Sequence, residues 1–490
     1  MERPTIDPGA LEAPRPRTVV SRIGFVLGPV LAALAWFALP SSFVDASGAE
    51  VVVGVGMRAT AALMAWMASW WLTEAVDVEA TALLPLAAGP LLGAGSLAAM
   101  AAPYASPLIY LFLGGFLLAI ALQRWSLDQR LALWVLARVG TGPRAVVGGF
   151  MLVTAGLSSC VSNMATTAAM LPLALSVCRR LGGANARGKG FETALMLGVA
   201  YAASIGGMAS LIGTPPNGFL AQYAFERTGE PLRFVDWLGI GLPVVAVLLP
   251  ATWLLLTRVL FRLPAAPLEG GAAHIAQERR GLGHMGRGAW TTAIVFAGTV
   301  VLWLCAPFLP LEGLSDAGIA IGAALLLFVV PVGGGRRALE WRHARELPWG
   351  VLVLFGGGLS LAAAIQSNGL DAFLGAQTRA LADLPPVLLV LALTTGMVFL
   401  TEVTSNTASA AIGIPIVWSM ADDFGLDPMA LAVPLTLAAS CAFMLPAATP
   451  PNAIVFGSGH VSLPRMARTG FLVNWLAIAV IASLGAWLAG

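Results

Sequence analysis

The sequence predicts an all-α polytopic membrane protein with eleven transmembrane helices and two re-entrant helical hairpins in an inverted repeat. Three observations support this fold class. The 490 residues are 58% hydrophobic and only 11% charged, too few polar residues to cover a soluble fold of this size. Apolar stretches of about 20 residues, each long enough to cross a bilayer, recur along the whole chain. A set of polar motifs also occurs twice inside apolar segments.

The spans are placed by apolar length, and the short alternating strands of a membrane β-barrel are not found. The first span follows Arg22. This span is longer than the apolar region of a signal peptide, and the segment before it is long and contains acidic residues. We therefore expect a transmembrane helix that is not cleaved off. The eleven predicted spans are 23–40, 51–73, 78–95, 107–123, 192–212, 237–257, 289–309, 317–332, 349–366, 429–461 and 470–490.

Two further apolar pieces, 145–178 and 386–421, are interpreted as hairpins that enter and leave on one side. With these hairpins, 23 of the 27 Lys and Arg residues fall on one side of the membrane. If either hairpin crossed the membrane fully, the Lys and Arg residues would be spread over both sides. The positive-inside rule then predicts a multi-pass protein of the cell's inner (plasma) membrane, with a cytoplasmic N-terminus and an external C-terminus. The four residues on the other side are Arg58, Arg227, Arg233 and Arg379.

An internal repeat connects the hairpins to two broken helices. The hairpins read LSSCVSNMATTAAMLPLAL and LTEVTSNTASAAIGIPIVW, each with Ser-Asn near its middle. Each is followed by Thr-Pro-Pro-Asn after an apolar run, in LIGTPPNGFLAQ and LPAATPPNAIVFGSG. The charge distribution places the first hairpin on the cytoplasmic side and the second outside. Two copies in opposite orientation are typical of secondary transporters.

Broken helices in a membrane predict a binding site. An unpaired backbone group costs several kcal/mol in lipid, so unwound chain persists only where it lines a cavity or contacts a ligand. The freed N–H ends attract anions, and free carbonyls coordinate small cations. Asn, Ser, Thr and carbonyl oxygens are hard ligands that suit Na⁺ rather than transition metals. Two hairpin tips and two breaks meeting at mid-membrane would make two cation sites beside one anion site.

The placement of charge inside the spans refines this prediction. The spans contain essentially no Lys or Arg near the bilayer centre, so an anion would be held by helix ends, hydroxyls, amides and bound cations. Such a site binds the anion well only after the cations have bound. Glu402, inside the second hairpin, is the exception and is costly if unpaired. It is interpreted either as part of a cation site or as a hydrogen-bonded structural carboxylate.

At these motifs the sequence resembles the divalent anion/sodium symporter family, whose members carry dicarboxylates, citrate or sulfate. The matching stretches are VSNMATTAAMLP, GTPPN, LTEVTSNTASAAIGIPI and MLPAATPPNAIVFGSG, within a similarity that covers roughly residues 20 to 490. The resemblance implies eleven spans plus two hairpins per protomer, a homodimer paired through scaffold domains, and a transport domain that moves as an elevator. No cofactor is implied beyond sodium as the coupling ion, and no nucleic acid is expected as a partner.

The resemblance also implies site residues. The first sodium site would use Ser158, Ser162, Asn163 and the carbonyl of Gly213, and the second would use Thr401, Thr404, Asn406 and the carbonyl of Ala448. The substrate carboxylates would meet Asn163, Thr214, Ser405, Asn406, Thr407 and Pro450. One position departs from the family pattern: the first tip usually reads Ser-Asn-Thr, and here its third residue is Met164. This replaces a hydroxyl donor with a bulky thioether at a substrate contact.

Domain boundaries follow from the same resemblance. The predicted parts are a cytoplasmic tail at 1–22, scaffold helices at 23–140, the first transport half at 141–262, a cytoplasmic linker at 263–288, scaffold helices at 289–384 and the second transport half at 385–490. The favoured function is sodium-coupled symport of a C4-dicarboxylate such as succinate, malate or fumarate. Two alternatives remain: transport of sulfate, citrate or another anion by the same fold, and sodium-independent anion exchange.

A membrane-embedded enzyme is a remote alternative. It would need a Gly-x-Ser-x-Gly nucleophile with a histidine, a pair of intramembrane aspartates, or His-Glu-x-x-His. The sequence contains none of these in its spans. We therefore expect no catalytic residues.

Overall fold

The computed structural model describes residues 19–44, 48–181, 186–263, 271–309, 311, 313–378, 381 and 384–489. Within these residues the chain forms 22 α-helices and two short β-hairpins. Helices therefore dominate the fold, as the composition predicts.

The first part of the chain forms seven helices and one β-hairpin. They are α1 Val19–Ala38, β1 Ser42–Val44, β2 Glu50–Val52, α2 Val55–Thr73, α3 Val78–Thr81, α4 Leu84–Leu92, α5 Leu97–Ala101, α6 Pro107–Arg124 and α7 Leu127–Val139. β1 and β2 are antiparallel, with Phe43 opposite Val51. Because Gly24 of α1 has no side chain, α1 packs closely against Thr73 of α2.

The next part contains the first hairpin and the first broken helix. Its helices are α8 Pro143–Ser158, α9 Asn163–Leu181, α10 Ala186–Gly207, α11 Pro215–Thr228 and α12 Phe234–Leu254, which continues as one wider turn over Leu255–Leu260. The hairpin is α8 and α9, and both helices pack against α10. The break is the unwound stretch 208–214 between α10 and α11.

The middle of the chain returns to longer apolar helices. The elements are α13 Gly271–Gly281, α14 Arg287–Cys305, α15 Asp316–Val329, β3 Pro331–Gly333, β4 Arg336–Arg337, α16 Trp349–Ser367 and α17 Leu370–Thr378. A 3₁₀ turn, Trp341–Glu346, precedes α16.

The last part repeats the pattern of the second. It contains α18 Pro386–Thr401, α19 Asn406–Phe424, α20 Pro428–Ala439, α21 Pro450–Gly457 and α22 Leu463–Ala489. The second hairpin, α18 and α19, packs against α20, and the second break is the unwound stretch 440–449. The packing also crosses between the repeats, because α9 contacts α21 and α19 contacts α11.

The two broken helices form the centre of the core. Every residue from Thr193 to Thr214 is buried, and so is every residue from Ala430 to Phe443. The first unwound stretch and the start of the second, residues 440–443, therefore lie inside protein, whereas residues 444–447 are partly or fully exposed.

Among the described residues, six helices are long and apolar enough to cross a membrane: Val19–Ala38, Leu97–Arg124, Phe234–Leu260, Arg287–Phe308, Trp349–Ser367 and Leu463–Leu488. Five shorter apolar helices are Val78–Leu92, Pro143–Ser158, Asp316–Val329, Pro386–Thr401 and Pro428–Ala439. These findings agree with a multi-pass membrane protein. The total of eleven spans stays a prediction.

Several boundaries differ from the sequence prediction. α1 begins inside the segment assigned to the tail, of which residues 1–18 lie outside the described residues. The linker 263–288 contains α13, since its Ala, Gln, Glu and Arg residues favour a helix, and residues 264–270 lie outside the described part. The span 78–95 is divided into α3 and α4, because Pro85 starts a new helix.

Candidate functional site

The two hairpin tips have the same geometry. In the first, Ser158 Oγ lies 2.7 Å from Oδ1 of Asn163, and in the second, Thr401 Oγ1 lies 2.8 Å from Oδ1 of Asn406. In both hairpins the hydroxyl residue ends the first arm and the asparagine begins the second arm. A hydroxyl therefore lies beside the asparagine amide at the tip of both hairpins.

The first tip carries a cluster of oxygen atoms. One terminal atom of the Asn163 amide lies 2.7 Å from Ser158 Oγ, 3.2 Å from the Gly213 carbonyl and 3.1 Å from the Ala203 carbonyl. Carbonyls can only accept, so an amide NH₂ in this place would donate to them. An amide oxygen in the same place would leave several oxygens facing one another, an arrangement that a bound cation stabilises. The structure therefore brings Ser158, Asn163 and Gly213 together, as the first predicted sodium site requires.

Ser162, the fourth predicted member of this site, has a different contact. Its hydroxyl accepts a hydrogen bond from the Ala165 N–H at 3.3 Å and so caps the start of α9. At the matching place in the second hairpin, Ser405 makes no side-chain cap. The two tips are therefore alike in their Asn pairs and different in their serines.

The threonines of the second tip make further hydrogen bonds. Thr401 Oγ1 also lies 2.9 Å from the Ala439 carbonyl, at the end of α20. Thr404 Oγ1 lies 2.9 Å from the Leu400 carbonyl and 2.6 Å from Ser409 Oγ. The hydroxyl of Thr404 thus binds groups of its own hairpin.

The carbonyl predicted for the second site belongs to Ala448, which is buried in the second unwound stretch. Its N–H donates to the Leu445 carbonyl at 3.2 Å, which folds this part of the stretch into a turn. A contact between the Ala448 carbonyl and Asn406 stays a prediction.

The repeated Thr-Pro-Pro-Asn stretches begin helices. Thr214 and Thr449 precede α11 and α21 with nearly equal backbone angles, φ −142° and ψ 140° against φ −143° and ψ 148°. The two prolines that follow take the first helical positions, where the missing N–H removes no hydrogen bond. The double proline therefore ends the unwound stretch by starting the next helix.

The asparagine of each stretch reaches back across the break. Asn217 Nδ2 lies 3.2 Å from the Gly207 carbonyl and 2.8 Å from the Ser210 carbonyl. Asn452 Nδ2 lies 3.1 Å from the Ala442 carbonyl and 3.0 Å from the Leu445 carbonyl. These partners stand ten and seven residues before each asparagine. Both side chains are fully buried, so they satisfy carbonyls that the breaks leave without helical partners. The set of site residues predicted from the sequence did not include them, although the repeated motif contained the signal.

Glu402 is a hydrogen-bonded structural carboxylate. Oε1 accepts the N–H of Phe443 at 2.7 Å and of Met444 at 2.9 Å, and Oε2 accepts that of Leu445 at 3.1 Å. Asn474 of α22 donates its side-chain amide to Oε1 at 2.8 Å. The side chain is 4% exposed. The second of the two interpretations given above is therefore the one that the contacts support.

This carboxylate changes the electrostatics of the second break. The N–H groups of residues 443–445 are the donors that a broken helix would offer to an anion, and they are bound by the chain's own Glu402. Because prolines follow Thr214 and Thr449, the first two positions of α11 and α21 also have no N–H to offer. The remaining helix N-termini in this region are those of α9 and α19, at the hairpin tips.

The two breaks meet inside the molecule. Thr214 Oγ1 lies 3.5 Å from Ser440 Oγ, and Met208 Sδ lies 3.9 Å from Cys441 Sγ. Thr214 is 1% exposed, so its hydroxyl faces the second break from within the core. Contacts between the breaks are required if both repeats are to form one site.

The predicted substrate residues differ in exposure. Asn163, Ser405 and Asn406 are half-buried at the tips, and Pro450 is exposed. Thr214 and Thr407 are buried. Met164, beside Asn163, is 50% exposed, so the residue that departs from the family pattern lies at an accessible place.

Comparisons with known proteins agree with these features. A family model described as a citrate transporter matches residues 68–436. The sodium-dependent dicarboxylate transporter SdcS of Staphylococcus aureus (strain bovine RF122 / ET3-1) is 39% identical over 481 residues, covering 95% of this chain and 91% of the relative. SdcS of strain NCTC 8325 / PS 47 is 38% identical over the same length.

A solved structure supports the fold. The crystal structure of the Alcanivorax borkumensis YdaH transporter aligns with a TM-score of 0.54, covering 96% of this chain and 98% of that one. Its sequence identity is 15%, so this likeness concerns the fold alone.

Proposed function

The chain belongs to the divalent anion/sodium symporter family, and from this premise we propose that it carries a C4-dicarboxylate across the membrane together with Na⁺. The protein is a transporter rather than an enzyme, as are its named relatives. The SdcS proteins, which match nearly the whole chain, are named for dicarboxylate transport that depends on sodium.

One structural observation carries the proposal for the ion sites. Each repeat closes its hairpin tip with a hydroxyl and an asparagine at 2.7–2.8 Å, beside an unwound stretch of backbone. Neutral oxygens of this kind are suitable ligands for Na⁺. The first site would consist of Ser158, Asn163 and Gly213, with Ser162 supporting the tip. The second would consist of Thr401, Asn406 and Ala448, with Thr404 in the supporting role.

The dianion would bind between the two tips. The side chains of Asn163 and Asn406 would each bind a sodium ion. The helices that these residues begin, α9 and α19, would direct their N-termini at the substrate. Ser405 makes no helix cap, so its hydroxyl would be available to a carboxylate. Thr214 from the first repeat, with Thr407 and Pro450 from the second, would complete the site. Met164 would leave one carboxylate with fewer hydrogen bonds on the side of the first tip.

Coupling follows from charge. A dianion placed between two partial positive helix ends, with no basic side chain proposed for the site, remains incompletely neutralised. Two sodium ions at the tips would supply the remaining charge. Substrate affinity would therefore rise with sodium concentration.

Movement would follow the elevator scheme of the family. The transport domain would comprise residues 141–262 and 385–490, and the scaffold would comprise residues 23–140 and 289–384. The re-entrant hairpins would open on opposite faces, with the N-terminus cytoplasmic and the C-terminus outside. The scaffolds of two protomers would pair in a homodimer. Arg227 lies where the proposed domains would meet, because it pairs with Asp422 of the transport part at 2.9 Å and with Asp371 of the scaffold part at 2.7 Å.

The function can be tested with purified protein in liposomes. Uptake of labelled succinate should require an inward sodium gradient and should fall to the leak rate when K⁺ replaces Na⁺. Ser158→Ala should reduce sodium-dependent uptake. Ser159→Ala is the matched control, because its hydroxyl binds the Gly156 carbonyl of its own helix at 2.8 Å.

The same experiment separates the alternatives. Equal uptake in K⁺ together with counterflow between internal and external anions would indicate sodium-independent exchange and contradict the proposal. Sodium-dependent uptake of citrate or sulfate in place of succinate would contradict the dicarboxylate assignment and leave the symport mechanism.

A further inference from the structure

The second hairpin carries a charge that the first hairpin lacks. Glu402 follows Thr401 directly, and the residue after Ser158 in the first hairpin is Ser159. Since Ser158 and Thr401 occupy matching places, the repeats differ by one buried carboxylate next to a proposed sodium ligand.

Glu402 joins three parts of the transport half. It belongs to the hairpin tip, its oxygens accept N–H groups from the second break at residues 443–445, and Asn474 connects it to α22. Charge-assisted hydrogen bonds from several donors hold a carboxylate in one orientation. The tip and the unwound stretch are therefore fixed to each other through a single side chain.

The first repeat joins its tip to its break without a carboxylate at the matching place. The N–H groups of Met208 and Ala209, at the start of the first break, donate to the carbonyls of Ile205 and Gly206 in their own turn. The tip is joined to the break by a hydroxyl, which Ser210 donates to the Ser159 carbonyl, and by the Asn163 amide, which lies 3.2 Å from the Gly213 carbonyl. Neutral hydrogen bonds of this kind are weaker than those to a carboxylate.

We propose that Glu402 is a positioning residue that preforms the second sodium site. This role rests on the proposed function. Glu402 does not contact the ion in this scheme, because its oxygens are already bound to backbone and amide donors. It holds the break against the tip, and so would keep the Ala448 carbonyl within reach of an ion bound by Thr401 and Asn406.

A preformed site binds its ion more tightly than one that must be ordered on binding. The second site should therefore bind sodium more tightly with Glu402 than without it. Loss of a residue that orients metal ligands typically weakens metal binding roughly ten- to hundredfold. Glu402→Gln should raise the half-saturating sodium concentration for succinate uptake within this range, with maximal uptake at saturating sodium largely retained.

Double variants identify the site that Glu402 serves. Adding Glu402→Gln to Asn406→Ala should change sodium dependence little, because the second site is already lost. Adding Glu402→Gln to Asn163→Ala should raise the half-saturating sodium concentration further, because the second site is then the one affected. Asn474→Ala, which removes one of the contacts, should shift the half-saturating concentration in the same direction by a smaller factor and provides the test if Glu402→Gln folds poorly.

Two results would overturn the proposal. One is a Glu402→Gln protein that melts at a lower temperature without sodium and keeps the wild-type sodium dependence, since the carboxylate would then be a brace for the fold alone. The other is a Glu402→Gln effect on the half-saturating sodium concentration that disappears in the Asn163→Ala background and persists in the Asn406→Ala background. Uptake by the wild-type protein that ignores sodium would instead refute the symport mechanism, and this role with it.

Discussion

The side-chain amide of Asn217 lies 2.8 Å from the carbonyl oxygen of Ser210, across the first unwound stretch. Asn452 makes the same connection in the second repeat. Asn217→Ala and Asn452→Ala should each remove at least two hydrogen bonds from a buried amide to the carbonyls of the break and lower the free energy of unfolding by about 2–3 kcal/mol. Thermal unfolding of the detergent-purified protein in the absence of sodium measures this loss.

The matched control for these substitutions is Asn406→Ala. This asparagine is half-buried, and its proposed role is in ligand binding, so its sodium-free melting temperature should stay close to that of the wild type. Equal destabilisation by all three substitutions would contradict the structural role assigned to Asn217 and Asn452.

Asn163→Ala and Asn406→Ala should weaken the response of the protein to sodium. Ligands that bind the folded state raise its melting temperature by mass action, so each variant should lose most of the rise that sodium produces. Thr436→Val serves as a control, because its buried hydroxyl binds the Ala432 carbonyl of its own helix. Retention of the full sodium-dependent rise by both asparagine variants would refute the assigned sites.

Gly207→Ala tests the geometry of the first site. A Cβ at this position would lie 2.5 Å from Asn163 Oδ1 and 3.1 Å from the Gly213 carbonyl, so either the amide or the carbonyl must move. Sodium-dependent uptake should fall at least roughly tenfold, the loss expected when metal ligands are misoriented. Gly156→Ala, in the first arm of the same hairpin, has open space and should transport normally. Normal uptake by both variants would show that Asn163 and Gly213 do not form a site.

Met164→Thr should raise affinity for a C4-dicarboxylate. The residue is 50% exposed beside Asn163, where a threonine hydroxyl could donate to a substrate carboxylate. Half-saturating succinate concentrations in proteoliposomes measure the change, and Met164→Ala separates the added hydroxyl from the removed bulk. If Met164→Thr leaves the uptake kinetics unchanged, the proposed substrate contact at this tip is wrong.

Asp371→Asn tests the contact between the proposed domains. The Arg227–Asp371 pair is partly exposed, so its loss should destabilise the conformation of the present structure by about 1 kcal/mol or less. That change would shift a two-state equilibrium up to about fivefold. Cysteine crosslinking between α11 and α17 should become slower in the variant. A crosslinking rate and a transport rate that both equal those of the wild type would show that the pair does not hold the domains.

Much of the architecture could be predicted from the sequence because the relevant signals are long or repeated. Apolar stretches gave the helices, and two Ser-Asn motifs with two Thr-Pro-Pro-Asn motifs gave the paired hairpins and breaks. Short polar-rich helices such as α7 and α13 were not predicted as helices, since their apolar residues do not form long stretches.

The candidate site was predictable in its residues and less so in its contacts. The Asn pairs follow from the tips, whereas the partners of Glu402 come from residues 443–445 and from Asn474, which only folding brings together. The sequence predicts that the N–H groups freed at both breaks attract an anion, but those of residues 443–445 are bound by Glu402. The sequence contains the carboxylate, but its distance to the freed N–H groups depends on the tertiary structure.

The exchanged packing of the repeats, with α9 against α21 and α19 against α11, also affects biosynthesis. The ribosome completes the first hairpin long before α21 exists, so this hairpin must wait in the membrane with one face uncovered. Each half of the gene encodes one of the proposed sodium sites, but neither encodes the whole of the proposed substrate site. The two halves, expressed as separate polypeptides, should therefore acquire activity only when made together.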